Sequence, residues 1–162
     1  MADKKDSIDA LDRKLVAALV EDGQMPVAAV AERMGVTAPT VRSRLRGLLG
    51  RGVLRIAGLI DPSATAGLTV ALVGITVQSH MQLDEKLEEI SRLERVHWAA
   101  VVTGRYDILV EIVISDDIAD LYAFLNEDLS QIGGISSSES FVVMKSRRKW
   151  VLLPERIRSG YE

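Results

Sequence analysis

A chain of 162 residues, 48% hydrophobic and 27% charged, is ordinary globular material, sized for one medium domain or two small ones. It has no cysteine, which excludes a disulfide framework, a thiolate metal site and a cysteine nucleophile. No apolar run is long enough to span a bilayer, and the charged start lacks a signal peptide's apolar core, so a cytoplasmic protein with no membrane partner is expected. The net charge of −3 hides an asymmetry, with ten Lys/Arg against seven Asp/Glu in residues 1–60 and ten against sixteen in residues 61–162. The stretch from Ala38 to Arg55 carries Arg42, Arg44, Arg46, Arg51 and Arg55 and no acid, which places a positive face on an acidic protein.

Ile8, Leu11, Leu15, Ala18 and Leu19 recur at helical spacing and predict a first helix ending near Gly23, with Asp6 or Ser7 as the side-chain cap. Pro26 suits the first position of a second helix, where its missing N–H would be unpaired anyway, and Gly35 stops that helix after Met34. Thr37 is placed to cap a third helix with Val41, Leu45 and Leu48 inward and Thr40, Arg42, Ser43 and Arg46 outward. Beyond Gly52, the β-prone pieces Val53 to Ile56 and Leu59 to Asp61 predict a small hairpin, or wing. The turn-rich run from Asp61 to Gly67, with its X-Pro bond, marks a change of pattern. The expected division is a winged helix-turn-helix over residues 1–61, a linker over 62–68 and a second domain over 69–162.

The second half reads as strand Thr69 to Val77, helix Gln82 to Arg92 and strand Val96 to Thr103, followed by a similar unit. That unit is strand Ile108 to Ile114, helix Asp116 to Ile132 with Ile118, Leu121, Tyr122, Leu125 and Leu129 inward, and strand Ser138 to Lys145. The order βαββαβ is that of a ferredoxin-like, ACT-like sandwich, which makes the whole chain α+β. Ala71, Val73, Ile75 and Val77, with Val110, Ile112 and Ile114, supply more apolar surface than two helices hide, so at least a homodimer is expected.

A basic third helix after a tight Gly turn fits a recognition helix entering the major groove of double-stranded DNA N-terminus first. Ala38, Pro39, Thr40 and Ser43 would then lie near base edges, with Arg42, Arg46 and Arg55 on phosphates and the capping Thr37 completing the DNA-binding set. The only histidines are His80 and His97, without ligand spacing around them, so neither a metal site nor a cofactor is expected. The run Lys145-Ser146-Arg147-Arg148-Lys149 reads as a solvated charge run.

The segment from Ile8 to Leu15, the segment from Val36 to Leu45, and Gly52 to Ile56 followed by Asp61-Pro62 together resemble the Lrp/AsnC family of transcription regulators over nearly the whole chain. A further point of likeness is the run Thr103-Gly104-Arg105-Tyr106-Asp107 between two strands, where Gly104 offers a backbone free to take positive φ. The resemblance implies a sequence-specific DNA-binding regulator whose assembly into dimers, tetramers or octamers and whose DNA affinity respond to a small effector, usually an amino acid. It implies effector contacts from Gly104, Arg105, Tyr106 and Asp107, the last facing the ammonium. Ser138 and Ser140 would face the carboxylate, at positions where relatives often carry threonine. It implies no catalytic residues. A second resemblance, to sirohaem decarboxylase subunits of the same layout, would instead make the chain a tetrapyrrole-binding enzyme with His97 as ligand.

Overall fold

The computed structural model describes residues 8–154 and residue 157. The chain divides between Ala57 and Gly58 into two compact units.

The first unit is three helices: α1 (Ala10–Glu21), α2 (Val27–Met34) and α3 (Ala38–Gly50). They close over Leu15, Ala18, Leu19, Val30, Ala31, Val41 and Leu48, with Leu45 and Ala38 packed against that cluster. The cap of α1 is Asp9, whose carboxylate accepts the Leu11 and Asp12 amides at 2.9 and 2.8 Å; the expected caps Asp6 and Ser7 lie outside the described residues. Pro26 sits one position earlier than expected, as the N-cap of α2 with ψ at 139°, and its carbonyl accepts the Val30 N–H. Gly35 ends α2 in the left-handed region at φ 66°, a conformation glycine adopts without steric cost.

The expected wing hairpin does not form among the described residues. The Val53 and Leu54 amides turn back to the Leu48 carbonyl, and Ile60 pairs instead with Val151. The expected linker is likewise part of the second unit. Asp61 caps a 3₁₀ turn over Pro62–Ala64, Pro62 and Leu68 are buried, and Asp116 accepts bonds from the Gly67 amide and the Thr69 hydroxyl.

The second unit is an antiparallel sheet in the order β2-β3-β1-β4, made of β1 (Thr69–Val77), β2 (Val96–Val101), β3 (Ile108–Ile114) and β4 (Ile135–Val142). Two helices cover one face: α4 (Leu83–Ser91) and α5 (Ile118–Ala123). Helix α5 continues through a π turn over Phe124–Asp128 and a 3₁₀ turn over Leu129–Gln131. A π turn admits one extra residue and so rotates the residues beyond it about the helix axis. Ile118 and Tyr122 precede that shift, and their exposure follows from ordinary helical geometry. At about 100° per residue Phe124 falls on one side of Leu121 and Ile118 and Tyr122 on the other, so Leu121 and Phe124 are buried whereas Ile118 and Tyr122, expected inside, are 70% and 65% exposed. Arg95 crosses to α5 and its continuation, meeting Asp120 at 3.3 Å and Asp128. Burial alone would lower the Arg95 pKa; the carboxylates of Asp128 and Asp120 outweigh it and hold the guanidinium above its usual value.

Ala71, Val73, Ile75 and Val77 on β1, and Val110, Ile112 and Ile114 on β3, face this helix layer. They are not spare surface awaiting a partner, because the two helices with Leu121, Phe124 and Leu129 already enclose them. The alternate residues form the other face: Leu72, Gly74, Leu109, Glu111, Trp98 and Phe141 share it by register. Val151 and its neighbours cover one end of that face, over Leu68, Val70 and Val113. Further along it, Gly74 lies directly beneath the ring of Tyr106, and a Cβ at position 74 would come within 2.5 Å of the ring carbons.

Replacing Gly74 by Ala should therefore unseat Tyr106 and cost about 1–3 kcal/mol, as overpacking of a filled site does. Phe124→Ala should cost about 3–5 kcal/mol by emptying the core under the π turn. Urea unfolding followed by circular dichroism would measure both, and a Gly74→Ala variant as stable as the parent would mean that the ring has an alternative seat.

Candidate functional site

The third helix is held in a helix-turn-helix. Thr37 caps it, its Oγ1 lying 3.4 Å from the Thr40 amide and 2.9 Å from the Thr40 hydroxyl. Both hydroxyls at the helix tip are thus engaged with each other. Ala38 is half-buried against the helical core, while Pro39, Arg42, Ser43, Arg46 and Arg55 are exposed. Arg42 and Arg46 make no ion pair among the described residues, so the outer face of α3 presents free guanidinium groups and a hydroxyl, the groups that bind phosphate and base edges. Arg44 belongs to a different set. It reaches Asp9 and, at 3.0 Å, Asp12, and Arg51 approaches the other Asp12 oxygen at 3.5 Å. The Asp12 backbone amide first, then the Arg44 guanidinium, holds the Asp9 carboxyl below its usual pKa.

In the second unit Gly104 takes φ 126°, which bears out the conformational freedom read from the turn. Arg105 stacks 5.5 Å above the Tyr106 ring and pairs with Glu139 at 3.1 Å. The Tyr106 hydroxyl donates to the same Glu139, and the ring meets Phe141 edge to face at 6.3 Å between centroids. That bond to Glu139, reinforced by burial, holds the Tyr106 phenol above its usual pKa, with Arg105 pulling the other way. Asp107 is half-occupied: one oxygen accepts the Val77 amide at 2.9 Å and the other lies 3.5 Å from His80 Nδ1.

Strand β4 begins at Ile135, three residues before the expected Ser138, and ends at Val142. Its register sets Ser138 opposite Ile75 and Ser140 opposite Val73, which puts both serines on the helix side of the sheet. Ser138 there lines a groove with Leu125, Leu129 and Ile132. Arg105 and Tyr106, tied to Glu139, occupy the opposite face. The six residues expected to share one effector do not converge within a single chain. Reasoning from sequence missed Gly74, Glu139, Phe141 and His80. Gly74, a lone glycine inside an apolar strand, was the available signal of close approach.

His97 lies beside Glu111 on the face away from the helices. Its Nδ1 is 2.9 Å from a Glu111 oxygen and its Nε2 accepts the Leu152 amide at 3.2 Å, while Lys149 meets the second Glu111 oxygen at 2.5 Å. Both ring nitrogens are engaged, so the tetrapyrrole reading loses the ligand it depended on. No helix among the described residues is long and apolar enough to cross a membrane.

Residues 8–49 match the AsnC-type helix-turn-helix domain and residues 70–150 the Lrp/AsnC ligand binding domain. An HTH-type transcriptional regulator of Pyrococcus abyssi is 32% identical, over 91% of this chain and 92% of its own length. Among solved structures, the leucine response regulatory protein of Mycobacterium tuberculosis superposes with a TM-score of 0.76 at 26% identity, covering 88% of this chain and 96% of that one. A feast or famine regulatory protein of the same organism, solved with L-methionine, gives 0.73 at 25% identity over the same shares. With both domains matched in order, the chain belongs to the Lrp/AsnC family of transcription regulators.

Proposed function

We propose that this chain is a cytoplasmic regulator, not an enzyme, that binds double-stranded DNA through α3 and couples that binding to an amino-acid effector held by its βαββαβ unit. The observation that carries the reading is the outer face of α3, where Arg42, Ser43 and Arg46 stand exposed beyond a capped turn. Arg42, Arg46 and Arg55 contact phosphates, and Pro39 and Ser43 lie nearest the bases. Thr37, Thr40 and Ala38 shape the helix tip more than they read sequence, because their side chains are spent on the cap and the core.

A second copy of the chain covers the sheet face left open by the helices. Trp98 and Phe141 are 37% and 43% exposed there, and an apolar face of this kind is hidden by self-association, beginning with a dimer and extending to tetramers or octamers. The effector's ammonium takes the Asp107 oxygen that now faces the exposed His80, with Gly104, Arg105 and Tyr106 forming the wall. Ser138 and Ser140 reach the same ligand only from another subunit, since within one chain they lie on the other face of the sheet. An effector that bridges subunits in this way shifts assembly by its differential affinity for the bridged state. The relative solved with L-methionine supports an amino acid as the ligand class.

Two outcomes are expected. Arg42→Ala or Arg46→Ala should weaken binding to all DNA about equally and reduce the magnitude of the slope of log K against log salt by about one each; unchanged slopes in a filter-binding titration would take α3 off the phosphates. Asp107→Asn keeps an acceptor for the Val77 amide and removes the charge. Light scattering across the twenty amino acids should then show an effector-dependent mass change in the parent and none in the variant, and a variant that still responds would move the ammonium site elsewhere.

A further inference from the structure

Helix α3 carries its arginines on two opposite sides, and they do different things. Successive residues turn by about 100° around a helix, so Arg42 and Arg46 fall on one side and Arg44, two residues from each, on the other. Arg51, seven residues beyond Arg44, returns to the Arg44 side and is the C-cap of α3. The side bearing Arg44 meets the first turn of α1. Asp9 serves two elements at once: Oδ1 caps α1 by accepting the Leu11 and Asp12 amides, and Oδ2 takes the Arg44 guanidinium. Asp12, only 7% exposed, places Oδ1 at 3.0 Å from Arg44 and Oδ2 at 3.5 Å from Arg51.

We propose that Arg44 is a positioning residue and not a DNA contact: the Asp9 and Asp12 carboxylates, with Arg51 closing the far side, lock α3 against the start of α1 and fix the angle at which Arg42, Ser43 and Arg46 are offered to the groove. A buried carboxylate requires its cations in place, and two arginines two turns apart on one helix face constrain rotation of that helix about its axis in a way that apolar contacts, being non-directional, do not. The network thus supplies orientation where the packing of Val41, Leu45 and Leu48 supplies only adhesion. This rests on the reading of α3 as the DNA-contacting helix.

The test uses the full-length chain and DNA that the parent selects from a random pool, compared with random-sequence duplex. Arg44→Gln and Asp12→Asn should each lower the selected-over-random affinity ratio at least tenfold while leaving the salt slope of the parent, measured well below the melting temperature with helicity checked by circular dichroism. Asp9→Ser keeps a capping oxygen for α1 while removing the partner of Arg44, and should lower the ratio even if either other variant fails to fold. Arg42→Ala is the comparator, with a slope reduced by about one. A slope reduced in Arg44→Gln as in Arg42→Ala would make Arg44 a phosphate contact and overturn the proposal, as would an unchanged ratio in folded Asp12→Asn and Asp9→Ser. If the parent itself selects no DNA, the reading of α3 falls and this proposal with it.

Discussion

Strand β1 is hydrogen-bonded along both edges, to β3 and to β4, while its alternate residues Ala71, Val73, Ile75 and Val77 are sealed under the helices. Because side chains alternate with a period of two, a slip of one residue would turn this whole set out of the core. That constraint dictates the rest of the second unit. It brings Gly74 to the opposite face, where the absence of a side chain lets Tyr106 lie on the sheet; it sets Glu139 within reach of Tyr106 and Arg105; and it consigns Ser138 and Ser140 to the helix side.

The first unit relies on a different kind of specification. Its three short helices enclose a small cluster of apolar side chains, and such a cluster tolerates more than one arrangement. Charge removes that freedom. The acidic groups at the start of α1 engage the side of α3 that faces them, and the opposite side is left cationic and open. A count of five arginines between residues 38 and 55 therefore overstates the positive charge that side presents.

Much of this was legible in the sequence where one periodicity held throughout. Strands β1 and β3 run over the residues that their apolar character marked, and α3 with its Thr37 cap is where the Gly turn and the Val41, Leu45, Leu48 spacing put it. Legibility failed where periodicity was ambiguous or absent. The apolar residues of α5 fit two overlapping faces, and the one that is buried runs through Leu121 and Phe124 instead of Ile118 and Tyr122. The start of β4 is a run of serines whose place in the sheet comes from pairing with β1 and not from any apolar alternation. The β-prone residues near Ile60 pair with Val151, ninety-one positions away, a partner that no local pattern announces. The candidate effector residues were recognisable as types, but which of them share a face is a matter of register, and register is a property of paired strands.

The contact between His97 and the segment after β4 has a consequence in proton placement. An imidazole nitrogen that accepts the Leu152 amide carries no hydrogen, so the single proton of the neutral ring sits on Nδ1 and is donated to Glu111. Adding a second proton would strengthen the attraction to Glu111 and at the same moment set two N–H donors against each other at Leu152. The backbone that carries Val151 into its buried seat over Val70 and Val113 is thereby tied to one tautomer of one ring.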